Sequence, residues 1–405
     1  MQKEYINRKT SSLSINVVAT EVESLRKVVE STKTVRVYDN NRIGVAGQIG
    51  NADVEAVEKS ALENLALGIE YPCDLSKDVN ISVDTRKNIV DEDKFVQVAK
   101  SLLARLKKEV PDYLFSNKIQ YFSSESEYKN TENTSLRYCG NEMVLVLCIK
   151  SKSSANIMDF AYVADTDAYD ENKVVEDVKA LCDAYANVLP WQAGKYPVIA
   201  EQELYCGGYV LGNFDGESYA TGASLFKDML GKKIFNDKVT LAVNNDLPNS
   251  TFFDAEGTVC DEQNGTLIRN GVFERVIANK KIAAKYNLPR LCGSVATYDT
   301  IPSGSARGVE FKNTAECIQD IVGDQKAIYV LDASGGDMTT SGDFATPCEV
   351  ALLVENGKFV GRLPKLNIFG NVKEFLGDDF IGATDKGLLN YRTALAVTNM
   401  NVTLI

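Results

Sequence analysis

The sequence predicts an α+β protein of two lobes: a helix-and-sheet domain over residues 1–195 and a β-rich domain with hairpins over 196–405. Three observations carry this. Strand-like and helix-like hydrophobic periods alternate through the first half. The stretch Pro190-Trp191-Gln192-Ala193-Gly194-Lys195-Tyr196-Pro197 interrupts both periods with two prolines and a glycine. Beyond it, Asn-Gly pairs at 264–265, 270–271 and 356–357 punctuate short apolar runs, as tight type I′ hairpins require.

In the first half, Ser14–Val18 reads as a strand. Val22, Leu25, Val28 and Val29 follow at helical spacing. Thr34–Tyr38 alternates as a strand, Asp39-Asn40-Asn41 is a turn, and Ile43–Ala46 returns as a second strand. Val54, Val57, Ala61, Leu62 and Leu65 define one face of a helix capped by Asn51 or Asp53. Phe95, Val98, Ala99, Leu102 and Leu106 define another. Strands are expected at 118–122, 143–149 and 159–163, and a helix from Val174 to Leu189 that stops at Pro190. In the second half, the spacing between the first two Asn-Gly pairs predicts a compact meander. Val350–Val354 and Lys358–Gly361 flank the third pair. A short helix is expected at Ser224–Leu230, and Lys280, Lys281 and Lys285 are expected on the solvated side of another.

Composition restricts the chemistry. The 405 residues include no histidine. That removes the usual general base near neutral pH, the commonest metal ligand, and every His-activated nucleophile. Catalysis within this chain would fall to carboxylates, Lys, Tyr or Cys. The formal charge of −12 and pI near 4.8 oppose contact with nucleic acid or an anionic membrane. No run approaches the length of a spanning helix, and the N-terminus has no apolar leader. Nine cysteines, an odd number without Cys-x-x-Cys spacing, predict reduced, buried thiols in a cytoplasmic protein.

Several segments in the second half occur in a recognisable order: Phe252-Phe253-Asp254-Ala255-Glu256-Gly257-Thr258, Leu267-Ile268-Arg269-Asn270-Gly271-Val272, Ser341-Gly342-Asp343-Phe344 and Leu353-Val354-Glu355-Asn356-Gly357-Lys358. With the strand-turn-strand of 34–47, this set resembles the TldD/PmbA family, historically labelled modulators of DNA gyrase. The TldD kind carries an H-E-x-x-x-H zinc motif on a helix. The TldE/PmbA kind lacks it and pairs with a TldD-type subunit. Anchored at Ser224 and Phe226, the two motif histidines fall at Gly207 and Gly212, the motif glutamate at Gly208, and a late cysteine ligand near Thr384. This chain therefore resembles the TldE/PmbA kind. The resemblance implies no catalytic residue and no metal in this chain, with zinc and the general base supplied by a TldD-type partner. It implies a chamber acting on unfolded peptides, in peptide maturation or turnover. A homodimer is the alternative assembly.

The candidate peptide-groove residues are Asn213, Asp215, Glu217, Asp254, Glu256, Ser341 and Asp343. Asp254 and Glu256, two apart, would share a face on a strand, where paired carboxylates can do acid–base work or orient a turn. The run 332–343 is rich in Gly, Ser, Thr and Asp, but lacks Lys or Arg and any Walker pattern, which argues against a phosphate cradle. Cys206, beside the missing motif, would act as a nucleophile only if a cation or helix terminus held it as thiolate. Two other functional classes fit the sequence: an independent peptidase using Asp, Glu or Cys, and a regulatory protein-binding module.

Overall fold

A computed structural model describes residues 1–51 and 53–405. The first half contains β1 (Gln2–Val18), β2 (Glu21–Asp39), β3 (Arg42–Ile49), α1 (Val54–Asn64), β4 (Asn80–Asp84), α2 (Phe95–Glu109), β5 (Tyr113–Asn130), β6 (Ser135–Ser151), β7 (Phe160–Thr166) and α3 (Glu171–Ala186). The strands form one sheet in the order β3-β2-β1-β5-β6-β4, and β7 follows β4 along the outer edge of β6. Asp53, not Asn51, caps α1, accepting from the Glu55 N–H.

Long strands let this sheet bury different faces at its two ends. At one end, Leu13, Ile15 and Val17 of β1, Phe115 and Ile119 of β5, and Met143, Leu145, Leu147 and Ile149 of β6 pack on α2 and α3. At the other, the buried parity switches to Ile6, Tyr128, Leu136 and Tyr138, which pack on Phe253 from the second half of the chain. Since alternate side chains point to opposite faces, the sheet is covered by helices on one side and by a distant loop on the other.

The helix expected from Val22 to Val29 is instead the outgoing arm of the β1–β2 hairpin, with register running from Val18↔Glu21 to Gln2↔Tyr38. Leu25 and Val29 are 48% and 58% exposed. Apolar residues at helical spacing lost to pairing with β1. The turn that makes the hairpin is Ala19-Thr20, with φ of 47° and 70°. Neither is a usual left-handed residue. The conformation is over-determined by β5: Thr20 N–H donates to Phe115 O at 2.7 Å, and Phe115 N–H donates to Thr20 Oγ1 at 3.0 Å.

The second half contains β8 (Gly194–Glu201), α4 (Gln202–Cys206), α5 (Gly208–Leu211), α6 (Gly216–Thr221), β9 (Leu241–Val243), β10 (Thr266–Arg269), β11 (Val272–Phe273), α7 (Lys280–Tyr286), β12 (Val309–Phe311) and α8 (Ile318–Val322). It continues with β13 (Ala327–Ala333), β14 (Asp337–Met338), β15 (Asp343–Glu355), β16 (Lys358–Arg362), β17 (Leu366–Asn371), α9 (Val372–Phe375), β18 (Phe380–Thr384) and β19 (Leu395–Leu404). The larger sheet closes on itself as β13-β8-β19-β17-β15 and back to β13, forming a barrel. Its alternation is strict. Val198, Ile328, Ala351, Leu353 and Ala396 belong to one core, while Ile199, Tyr329, Leu352, Val354 and Val397 point the other way into the core shared with α2 and α3. The two halves therefore share packed surface rather than only a linker. The predicted fold class, with its helix-and-sheet first part and β-rich second part, is the one observed.

Local expectations fared unevenly. Asn270-Gly271 and Asn356-Gly357 adopt the paired positive φ of a tight hairpin. Asn264-Gly265 does not; the Asn264 side chain instead bonds back to Val259 O and accepts from the Asp261 N–H. Ser224–Leu230 forms successive turns, not a helix. Asp228 at φ 59° breaks any helical run, and Asn213 ties down its start by accepting from the Leu225 N–H at 2.8 Å. Lys280 is not on the solvated side of α7: it is 8% exposed and its ammonium donates to Asp74 O and Glu256 O. Two cysteines depart from the all-reduced expectation. Cys260 and Cys292 form a disulfide, because Asp254 accepts from Gly293 and Ser294 N–H and so draws the two loops together. Cys139, Cys182, Cys206 and Cys348 are free and buried.

A buried ionic cluster locks the sheet to this loop region. Arg36 of β2, 1% exposed, pairs with Glu4 of β1 at 3.2 Å and donates to Ala255 O. Tyr38 and Tyr128 donate to the same Glu4 carboxylate at 3.0 and 2.7 Å. Removing one partner of such a pair strands a charge in a dry interior, at a cost of about 3–5 kcal/mol. Arg36→Met is therefore expected to lose stability of that order in urea unfolding, with part of it regained when Glu4→Gln is added. A loss below about 1 kcal/mol for the single variant would contradict this role.

Candidate functional site

β8 and β13 pair in parallel through Ile328↔Val198 and Tyr329↔Ile199 only. β8 then continues to Glu201 with β19 on its other side, and β13 to Ala333 with β15 on its other side. Where they part, a cleft of about 760 Å³ opens, walled by Ala200, Glu201, Val330, Leu331 and Ala333 and facing the segment 306–310. Among the described residues, the cleft-facing edges of these two strands have no strand partner.

The floor of the cleft is the interrupted helical segment 202–214. α4 stops at Gly207, which is extended at φ −68°, ψ −172°; α5 then restarts at Gly208. A continuous helix, as an H-E-x-x-x-H motif would need, is absent from this stretch. Gly207 and Gly208 line the cleft; Gly212 and Thr384 are not among its walls. A Cβ at Gly207 would meet Glu203 O at 2.5 Å, while positions 208 and 212 have open space around them. Thr384 is buried, its hydroxyl donating to Glu316 O at 3.2 Å. These four positions offer no set of donors that fits a zinc ion. Among the described residues no group of three or more Cys, Asp and Glu side chains is placed to hold a metal.

The remaining sequence candidates separate into three places. Asn213, Asp215 and Glu217 follow the cleft floor. Asn213 donates to Tyr209 O and accepts from the Leu225 N–H, Asp215 caps α6 through the Ser218 N–H, and Glu217 lies 3.5 Å from Lys285. All three have intramolecular work. Asp254 and Glu256 are buried, with Glu256 only 1% exposed, and neither lines the cleft. Asp254 accepts from Glu256, Thr258, Gly293 and Ser294 N–H and pairs with Arg290 at 3.3 Å. Glu256 accepts from Tyr71 OH and the Lys280 N–H and lies 3.1 Å from Arg290. Burial raises the Glu256 pKa, with Arg290 opposing. This is loop-building chemistry, the turn-orienting role weighed from sequence. Ser341 and Asp343 sit elsewhere: Asp343 lines a separate surface depression and accepts from Asn371 Nδ2 at 2.9 Å and from Ser341 Oγ at 2.7 Å. Those bonds hold its carboxyl below the usual range.

Sequence reading missed the charged groups that do line the cleft: Glu201, Glu203, Arg307 and Glu310. They come from β8, α4 and β12 with its preceding turn, and no local spacing joins them. Burial raises the Glu201 pKa, and Glu203 adds to it. Glu310 is clamped by both nitrogens of the Arg392 fork and by Asn244 Nδ2 at 2.9 Å. Cys206 also borders the cleft, but burial pushes its thiol well above the ordinary value, so it is no thiolate nucleophile.

Residues 193–386 match the family model for the PmbA/TldA metallopeptidase C-terminal domain. A metalloprotease TldD homologue of Buchnera aphidicola is 27% identical over 183 residues, 41% of this chain but 36% of that protein's length. A zinc metalloprotease TldD homologue of Saccharolobus solfataricus is 19% identical over 374 residues, 85% of this chain and 80% of the other. In fold, the chain is similar to the crystal structure of TldE from Thermococcus kodakarensis (TM-score 0.81, 17% identity, 99% of this chain and 96% of that one). It is also similar to a proposed modulator of DNA gyrase from Thermotoga maritima (TM-score 0.74, 16% identity, 99% and 96%). No helix among the described residues is long and apolar enough to cross a membrane.

One acid pair beside the lobe junction, Asp165 and Glu142, is raised above the usual carboxylate range by burial. Asp165 of β7 shares a hydrogen bond with Glu142 of β6, which Asn249 Nδ2 also contacts at 3.2 Å. Burial, then the charge of Glu142, raise Asp165 to about 7. A carboxyl raised in the folded state favours folding when protonated. Its contribution is complete below the ordinary value of 3.8 and is lost as pH rises towards about 7. Asp165→Asn should therefore gain stability over the parent at pH 8 relative to pH 5, read as the difference in melting temperature between the two proteins. An equal difference at both pH values would refute the pairing.

The family-model match identifies residues 193–386 as a PmbA/TldA metallopeptidase C-terminal domain, and the ordered motifs and the fold along nearly the whole chain are similar to those of TldD/PmbA proteins.

Proposed function

We propose that this chain is the metal-free half of a TldD/TldE-type zinc peptidase assembly and that its cleft holds unfolded peptide. The observation that carries the reading is the cleft's construction. It sits on the glycine-broken segment that takes the place of the family's zinc helix, and two walls are strand edges without partners. An extended peptide can add to such edges through main-chain hydrogen bonds, which recognise a strand conformation with little demand on sequence. Folded proteins present few free strands and are excluded. Glu201, Glu203 and Arg307 give the cleft polar contacts of both signs.

The chemistry belongs to the partner in this reading. A TldD-type subunit supplies zinc, the activated water and the glutamate base; this chain supplies wall, alignment and exclusion. A homodimer through the same surface is the assembly expected where no such subunit is present.

Reconstitution tests the proposal. An unstructured peptide is incubated with this chain, with a TldD-type subunit loaded with zinc, and with both. Cleavage by the mixture at least about tenfold above the sum of the separate chains is the expected result, with no stoichiometric zinc retained by this chain after gel filtration. Chelator-sensitive cleavage by this chain alone, or no gain on mixing, would refute it.

A further inference from the structure

We infer that a second, smaller cavity between the two lobes is a binding site for a compact oxyanion. It encloses about 70 Å³ and is lined by Arg8 from β1, Arg307, Ser250, Thr251, Asp254 and Ser294, among others. Two guanidinium groups thus face one small polar space, and among the described residues neither forms an ion pair. Arg8 spends one nitrogen on Ala296 O at 3.0 Å; among the described residues Arg307 has no side-chain hydrogen-bond partner. Arg8 is strained electrostatically: burial lowers its pKa first, and the charges of Arg36 and Arg307 lower it further. An anion between the two cations relieves that cost and accepts their free N–H groups, the arrangement arginine forks favour for carboxylate and phosphate.

A second observation points to a ligand independently. Ser294 is 4% exposed, lines the same cavity, and its Oγ is buried without any hydrogen-bond partner. A buried hydroxyl left unpaired costs free energy, and an oxyanion supplies the missing acceptor. The one carboxylate in the lining, Asp254, does not compete: it is saturated by backbone N–H groups and Arg290. Glu142 lies within electrostatic reach of Arg307 but is held by Asn249 and Asp165.

Arg307 lines both this cavity and the strand-edged cleft. The oxyanion therefore has two possible sources: a free phosphate-like ion, or the terminal carboxylate of a peptide lying in the cleft. The peptide source rests on the function proposed above; the site itself does not.

The test is titration of the full-length chain with inorganic phosphate, with an N-acetylated dipeptide bearing a free carboxylate, and with its C-terminal amide, followed by calorimetry. Saturable binding of phosphate or of the free-carboxylate peptide is expected, with affinity at least about tenfold lower in Arg307→Gln and Arg8→Gln and reduced in Ser294→Ala. Arg307 is exposed, so Arg307→Gln retains the fold if the Arg8 variant does not. Binding of the carboxylate peptide but not its amide assigns the site to peptide termini; binding of phosphate alone assigns it to a free ion. No saturable binding of either probe, or affinity unchanged in Arg307→Gln, overturns the site. Phosphate binding is read without any peptidase activity, so this test and the reconstitution fail separately.

Discussion

The Glu4–Arg36 pair is the constraint on which the arrangement depends. It joins β1 to β2 inside the sheet, and through Arg36 and Ala255 O it fastens the sheet to the loop 252–258. A few residues on, the loop repeats the pattern with Asp254, Glu256 and Arg290, and Tyr71 and Lys280 close the gap by bonding Glu256. Charges this deep are costly to desolvate and are repaid only by complete pairing. Each charge has an oppositely charged partner, although Arg36 Nε and Glu256 Oε2 lack a hydrogen bond, and the pairs fasten the sheet to the loop. Gly257, at φ 66° and flat against the Tyr128 ring, leaves no room for a side chain at the contact.

That attachment sets up the cleft. With the sheet pinned on one side and α2 and α3 filling the other, the barrel is held by faces of Ile199, Tyr329, Leu352 and Val397 turned toward the helices. β8 and β13 are joined only where those side chains need them. Beyond Ile199 and Tyr329 each strand follows its other neighbour, and the space between them is the cleft. The pocket is thus a consequence of barrel closure that stops short.

Much of the fold was legible because it rests on local period. The α1, α2 and α3 faces, the strands at 34–38 and 143–149, and two of three Asn-Gly turns follow from patterns within a dozen residues. The failures have a common cause. Val22 to Val29 carries helical spacing, yet its conformation is set by Thr20 bonding Phe115, almost a hundred residues away. The Cys260–Cys292 disulfide forms because Asp254 gathers distant amides. Asp254 and Glu256 were legible as a motif, but their burial was not, since Arg290 and Tyr71 lie far off in sequence. The cleft charges Glu201, Arg307 and Glu310 have no common motif; only topology assembles them. The lack of histidine, by contrast, needed no structure to interpret.

In the proposed function, the parted edges of β8 and β13 receive an extended peptide. Amide hydrogen exchange, with and without a saturating unstructured peptide in the reconstituted assembly, addresses it at the backbone. Slowed exchange is expected chiefly at Ala200–Glu201 and Val330–Ala333, because only added main-chain bonds protect those edges. Peptide-dependent protection elsewhere, with these two segments unchanged, would contradict it.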